Sequence, residues 1–368
     1  MKLLSSLSLN LLLLSTFIVF PAQSQSPDKS TENPAKLGLE KLSTALSTLN
    51  FSTSFVVVKN NQAEPYHWLH GVGENNTELT ILARLNGPRR DILQKGNVVS
   101  YIEPEFAPYS VYANNIRGPI PSIFSGDVDK INDNYHLVLV GKSRVLGRAA
   151  QLIRIVPKDG HRLGYWLWLD LKSNLLLKLA ILSEKGQMLE QIQFTHLEIT
   201  EKLSVNLAKL QKSQLPDLIT LGGSSSLETD EKTDQVIVND EIAHSETLIN
   251  HEQKPQNLQG VQQTHEQADD LEINWQVNWL PAGFKLVKTD QHPLNTTNRT
   301  MQFMLFSDGL VDVSVYVGLA SKDQQPLGYA NDGATVVLTK VFNHIEVSVV
   351  GKIPANTAVK IADSVTIQ

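Results

Sequence analysis

Three places in the chain carry residue types that could do chemistry. In "YHLVLVGKS", Gly141, Lys142 and Ser143 end a β-like run as a phosphate-binding loop would end. Such a loop also needs a glycine at position 136, so that backbone N–H groups can cradle phosphate; His136 stands there, followed by apolar β-formers. The stretch therefore reads as a hairpin with a basic tip. In "HWLH", His67 and His70 could ligate a metal, but strand alternation sends them to opposite faces. In "GPRRDILQKG", Arg89, Arg90 and Lys95 place fixed positive charge around a turn, which suits either an anion site or a solvated hairpin rim. No G-x-S-x-G elbow or H-E-x-x-H helix occurs, and no pair of carboxylates is marked for acid–base work. No catalytic residue, metal or cofactor is expected, and nothing points to nucleic acid.

The elements that would position these residues are mostly strands. "LEKLSTALSTLN" sets Leu42, Ala45, Leu46 and Leu49 at helical spacing, predicting an amphipathic helix over about Leu37 to Asn50. The period then changes. "FSTSFVVV", "LTILARL", "VVSYIE", "YHLVLVG", "AAQLIRIV", "LGYWLWLD" and "LLLKLAIL" are β-rich runs divided by Gly, Asn, Pro and Asp, which predicts an antiparallel meander. In "GYWLWLD", Trp166 and Trp168 share one face while Tyr165, Leu167 and Leu169 share the other. Both faces are apolar, so the sheet either is covered on both sides or encloses a cavity suited to an acyl chain or peptide.

Charge divides the rest. Residues 222–272 hold 12 acidic residues against 2 lysines, or −10, and lack aromatics, which reads as a disordered acidic linker. It separates a mildly basic first domain, residues 25–221, from a neutral second domain, residues 273–368. The second domain combines five strand-like pieces, a "SDG" turn at Ser307 to Gly309 and a helical stripe of Ala358, Val359, Ile361, Ala362 and Val365, giving an α+β module. At the start, Lys2 precedes an apolar run from Leu7 to Phe20, and small residues at Ala22 and Ser24 suit signal cleavage before Gln25. The chain has no Cys, which excludes disulfides, thiolate zinc sites and a Cys nucleophile, and fits a bacterial envelope protein.

The assembled motifs resemble the MucB/RseB family, periplasmic regulators of the envelope-stress sigma factor. They are "GPRRDILQKGNVVSYIEPEFAP", "IRIVPKDGHRLGYWLWLD", "LLLKLAILSEKGQMLEQ", "WQVNWLPAGF", "FSDGLVDVSVYV" and "VVGKIPANTAVKIADSV", in order over nearly the whole mature chain. The resemblance implies a mainly β, α+β protein: an N-terminal unclosed antiparallel β-barrel with helices, like that of lipoprotein carriers, plus a smaller C-terminal α+β domain. It implies a non-enzymatic periplasmic protein. Its partner would be the periplasmic domain of an inner-membrane anti-sigma factor, RseA-like, whose proteolysis it restrains until lipid or lipopolysaccharide favours release. On this chain Trp68, Tyr101, Phe106, Trp166 and Trp168 become candidates to line a lipid cavity. Charge and location add Arg89, Arg90 and Lys95 as rim residues for lipid phosphates. Trp275, Trp279, Phe284, Asp308 and Gly309 are candidates for the partner-facing surface, and Trp275 and Trp279 fit a core equally well. A homo-oligomer and a plain lipoprotein or lipid carrier remain open alternatives. The long acidic linker departs from the family pattern and is a candidate internal polyanion for the basic first domain.

Overall fold

Asn33 and Pro34 start the first helix. The Asn33 side chain accepts a hydrogen bond from the Ala35 N–H, and Pro34 occupies the first helical position, where a missing donor costs nothing. The computed structural model describes residues 33–104, 107–113, 120–121, 124, 128–218, 273–294, 299–321 and 325–367. The expected signal peptide, Phe106 and the acidic linker lie outside them. Helix α1 (Pro34–Thr48) buries Ala35, Leu39, Leu42, Ala45 and Leu46 along one stripe. It starts a turn earlier than hydrophobic spacing predicts, because the Asn-Pro cap extends it beyond its first leucines.

The next strands form one antiparallel sheet. They are β1 (Asn50–Lys59), β2 (Gln62–Val72), β3 (Glu78–Arg84), β4 (Asp91–Lys95), β5 (Val98–Ile102) and β6 (Tyr109–Tyr112). After a short helix, α2 (Asp129–Asn134), come β7 (Tyr135–Val145), β8 (Arg148–Pro157), β9 (Gly164–Asp170), β10 (Leu176–Leu182) and β11 (Met188–Thr200). The strand order is β6-β5-β4-β3-β2-β1-β11-β10-β9-β8-β7. Two meanders are thus joined where β1 pairs β11, and the sheet stays open with β6 and β7 as its edges. Helix α1 packs on the inner face, where Phe51, Phe55, Val57, Trp68, Ile153, Ile155, Tyr165, Leu167, Leu179, Ile192 and Phe194 share its core. Gly38 lets helix and sheet approach: a Cβ there would sit 2.6 Å from Ile153 Cδ1. On the outer face, helix α3 (Val205–Lys212) covers Leu69 and Leu79 with Leu207 and Leu210.

A second sheet follows. Strands β13 (Lys285–Leu294), β14 (Arg299–Ser307), β15 (Asp312–Leu319), β16 (Leu327–Asp332), β17 (Thr335–Phe342) and β18 (Ile345–Gly351) run in the order β13-β14-β15-β18-β17-β16. Helix α4 (Ala355–Asp363) buries Thr357, Ala358, Ile361 and Ala362 against β17 and β18. Val365 leaves the expected helical stripe: it begins β19 (Val365–Ile367), which pairs β12 (Trp275–Val277) and so ties the two ends of this half together.

Asp170, at the β9–β10 turn, is bound by Arg148 at 3.1 and 2.9 Å and by the Ser173 hydroxyl at 2.7 Å. Burial opposes its ionisation, but the Arg148 and Ser173 hydrogen bonds outweigh burial and hold its pKa below the ordinary value. The stability it contributes is present above the unfolded carboxylate value of about 3.9 and is lost as pH falls through the folded value. Asp170→Asn should therefore lower the denaturant midpoint at pH 7 and flatten the loss of stability below pH ~4; an unchanged acid limb would remove this role. Leu42→Ala, which empties a fully buried site under α1, should cost about 2–5 kcal/mol in urea unfolding.

Candidate binding site

The inner face of β2 and β3 gathers polar hydrogens with nowhere to go. Register places Trp68 opposite Leu82, His70 opposite Thr80 and Tyr66 opposite Arg84, so Trp68, Thr80 and Arg84 surround Leu82 on one face. Among the described residues, Trp68 Nε1, Thr80 Oγ1 and Arg84 Nε are buried without a hydrogen-bond partner. A buried donor left unmade costs roughly 1–3 kcal/mol, so this cluster suits a ligand that brings acceptor oxygens. Apolar and aromatic surface adjoins it. Trp68 packs edge-on against Phe51 at 5.1 Å, and Tyr101, 3% exposed, stacks on Tyr109 at 5.4 Å beside Ile92, Val99 and Val111. Of the residues expected to line a cavity, Trp68 and Tyr101 reach this face. Thr80 and Arg84 escaped the sequence reading, because an unpaired donor becomes visible only when its neighbours are known.

Trp166 and Trp168 do not reach it, and their placement in the cavity is corrected. Alternation puts them together as expected, but Tyr165, Leu167 and Leu169 are the residues that turn toward α1. The tryptophans lie half-buried on the outer face, under Arg154 at 5.0 Å and Lys178 at 4.9 Å from the ring centroids. The larger aromatic body tolerates a solvent-facing position when a cation covers it. The single basic rim is likewise divided. Arg89 pairs with Asp91 at 2.6 Å at one end of β4, and Lys95, at the other end, donates to the Ser213 carbonyl at 3.1 Å beyond α3. Four strand steps, about 13 Å, separate those ends. Arg90 lies at the Arg89 end, where its carbonyl accepts from Arg84 N at 3.0 Å. His67 and His70 face opposite ways, as alternation demands. His70 Nδ1 bonds the Leu49 carbonyl at 2.7 Å, and His67 lies across from Ser54.

The residues expected to face a partner meet the other sheet instead. Arg162, 1% exposed, leaves the β8–β9 loop and donates from Nε to Asp308 Oδ2 at 2.7 Å. Its other nitrogens bond Asp159 and the Ala282 carbonyl, and its guanidinium lies over the Phe284 ring at 5.2 Å and the Tyr135 ring at 5.8 Å. Burial by itself would lower the Arg162 pKa, but hydrogen bonding and charge from Asp308 overcome it and raise the value. Burial likewise pushes the Tyr135 hydroxyl far above its ordinary pKa, so it stays a donor, 3.3 Å from Asp308 Oδ2. Asp308 Oδ1 meanwhile accepts from Leu310 N and Val311 N at 2.9 and 2.8 Å, closing the expected turn in which Gly309 takes φ +95°. One carboxylate thus shapes its own turn and anchors a cation from the first sheet.

Trp279 packs edge-on against His161 at 5.1 Å with Lys360 above it, and Trp275 is buried with its Nε1 bonded to Gln302 at 2.7 Å. Asp308 and Phe284 are therefore corrected from a partner-facing surface to intramolecular packing, and for Trp275 and Trp279 the packing alternative is the one found. Apolar and ionic demands of the chain itself consume them. A second clamp joins the β1–β2 turn to the β16–β17 turn, where Lys59 pairs with Asp332 and Asn60 Nδ2 donates to Asp332 Oδ1 at 3.1 Å, and beside it Lys352, just past β18, meets Glu190 of β11 at 3.2 Å.

An open antiparallel sheet plugged by a helix and carrying a donor-lined inner face, with a second helix-backed sheet locked to it by one buried and two partly buried ion pairs, defines a two-part binding protein. The model of the MucB/RseB N-terminal domain matches residues 34–219 and that of the MucB/RseB C-terminal domain matches residues 269–366, so the chain belongs to the MucB/RseB family. It is 28% identical over 331 residues to the sigma-E factor regulatory protein RseB of Escherichia coli K12, covering 89% of each chain. It is 26% identical over 359 residues to the sigma factor AlgU regulatory protein MucB of Pseudomonas aeruginosa, covering 96% of each. In structure it resembles MucB from the Pseudomonas aeruginosa MucA/MucB complex, with TM-score 0.64 at 23% identity over 91% of this chain and 99% of that one. MucB bound to MucA(peri) gives TM-score 0.61 at 24% identity, with the same coverage.

Removing the Asp308 carboxylate would leave Arg162 short of its main counter-charge in a closed site. Asp308→Ala should cost about 3–5 kcal/mol in chemical unfolding. A loss below ~1 kcal/mol, the range of a surface pair, would place the ion pair outside the determinants of this fold.

Proposed function

We propose that this protein is a periplasmic, non-enzymatic negative regulator of an envelope-stress sigma factor. It binds the periplasmic domain of a membrane-bound anti-sigma factor, shields that domain from proteolysis and releases it when lipid or lipopolysaccharide binds. The observation that carries the reading is that both parts of the chain, in order and over about nine-tenths of its length, match proteins named as sigma-factor regulators. MucB, similar in fold across 91% of this chain, has been crystallised with the periplasmic part of MucA. Delivery to the periplasm follows from the signal-like leader.

The inner face supports the lipid half of the reading. Trp68, Thr80 and Arg84 offer donors to the ester or phosphate oxygens of a lipid, while Phe51, Leu82, Tyr101 and Tyr109 accept its acyl chain. Release follows by linkage: a ligand that prefers the partner-free conformation must weaken partner affinity by the same factor that the partner weakens its own. A lipid carrier would need the first sheet alone. The buried contacts between the sheets instead commit the second half of the chain to the same body.

Binding of the purified chain to the anti-sigma periplasmic domain, followed by calorimetry with and without lipopolysaccharide, tests both halves. The expected result is a 1:1 complex whose Kd rises at least tenfold with lipopolysaccharide, and a response that Trp68→Phe with Thr80→Val weakens. An absent complex would remove the regulator reading; a complex indifferent to lipopolysaccharide would remove the lipid switch alone.

A further inference from the structure

The two edges of the first sheet are finished differently. At β6, Ser110 N donates to the Asp217 carbonyl at 2.8 Å, its hydroxyl donates to the Pro216 carbonyl at 2.7 Å, and Ser110 bridges Leu218. That edge is covered. At β7, among the described residues, only the Leu137 carbonyl is taken on the outer side, by the Asn33 side chain at 3.1 Å. Lys158 N bonds the Asn134 carbonyl and Pro157 lies opposite Tyr135, so Tyr135, Leu137 and Leu139 turn their backbone groups away from β8. A bulge between Leu139 and Gly141 resets the alternation. The tight turn at Leu146 and Gly147, φ +52° and +71°, then makes Val145 and Arg148 the closing pair, and Lys142 and Arg144 face outward.

Side chains along this edge are unusual for one facing water. Val138, Leu139 and Val140 are 42%, 41% and 50% exposed. From Tyr135 to Pro157 the hairpin carries four basic residues, Lys142, Arg144, Arg148 and Arg154, and no Asp or Glu. Arg148 is committed to Asp170, and Arg154 lies over Trp166 next to Val138 in the cross-strand row. Lys142 and Arg144 are exposed and have no carboxylate partner among the described residues.

We propose that the outer edge of β7 receives an extended segment of a partner protein as an added strand, and that this segment carries apolar residues with Asp or Glu. Unpaired backbone at Leu139, Lys142 and Arg144 gives the ladder, Val138 to Val140 give apolar contact, and the two free cations select acidic side chains. Charge argues against a second copy of β7, which would set Lys142 and Arg144 against themselves. A membrane surface is disfavoured too, since lipid tails offer no partners to an open row of N–H and C=O groups.

The probe is a short, end-blocked fluorescent peptide alternating valine and glutamate, with a valine–lysine peptide as its counterpart, each titrated against the full chain. The glutamate peptide should bind at least tenfold tighter than the lysine peptide and weaken as salt rises. Leu139→Pro, which removes an outward N–H without touching the β7–β8 ladder, should abolish binding. The double charge reversal Lys142→Glu with Arg144→Glu lies on exposed side chains and should invert the preference between peptides. Equal binding of both peptides, or full binding by both variants, overturns the proposal. So does capture of phosphatidylglycerol vesicles without peptide binding, or peptide binding that appears only once residues 224–270 are deleted. The first would make the edge a membrane surface, and the second would make this chain's own acidic stretch its occupant.

Discussion

A single buried guanidinium constrains how the two halves of this molecule meet. Arg162 has almost no access to water, so each of its donors needs an acceptor, and only the second sheet supplies enough of them: the Asp308 carboxylate and the Ala282 carbonyl. Asp159 and the ring of Tyr135 complete the surroundings from the first sheet. Separating the sheets would strand a charge in a site built to exclude solvent, a penalty far above that of losing one surface ion pair. Geometry reinforces it. Gly283, beside the Ala282 carbonyl, takes φ +88°, a left-handed conformation that favours glycine, and a Cβ there would also come within 2.5 Å of the Asn134 side chain of α2.

That constraint has a consequence for binding. Trp275, Trp279, Phe284 and Asp308 of the second half, which look like recognition groups in sequence, are taken up by intramolecular contacts. Among the described residues, the first sheet keeps groups to offer at three places: the donor-lined inner face around Leu82, the outer row of Trp166 and Trp168 under their cations, and the β7 edge. The first is apolar and nearly dry, whereas the other two are basic and wet. A regulator that answers to both a greasy ligand and a protein segment needs surfaces of both kinds, and linkage between them can pass through the sheet that carries all three.

Much of the architecture was legible in the residues. The period change after Asn50, the alternation in "GYWLWLD" and the turn at Ser307 to Gly309 each report local physics, and each is found where that physics puts it. Alternation, however, tells only which side chains share a face. Whether Trp166 or Leu167 turns inward depends on α1 settling over that sheet, a long-range choice between two apolar faces. Likewise "SDG" announces a turn, but the second oxygen of Asp308 belongs to Arg162, 146 residues earlier. Arg162 itself sits in "DGHRLG", which has the composition of any solvated loop. An Arg beside an Asp in a short loop was the only hint, and a weak one. The donors of Thr80 and Arg84 were hidden for the same reason, since want of a partner is a property of the neighbourhood.

The most direct test of the claim that Arg162 and Asp308 hold the two sheets as one body is a double-mutant cycle. Arg162→Met, Asp308→Leu and the double substitution would be compared by equilibrium unfolding. If the two residues do so, the coupling is at least about 2 kcal/mol and the double variant loses clearly less than the two single losses summed, because a lone buried charge costs more than the absence of both partners, while loss of the Leu310 and Val311 N–H bonds to Asp308 Oδ1 cancels in the cycle. Losses that simply add, leaving a coupling near zero, would contradict that claim.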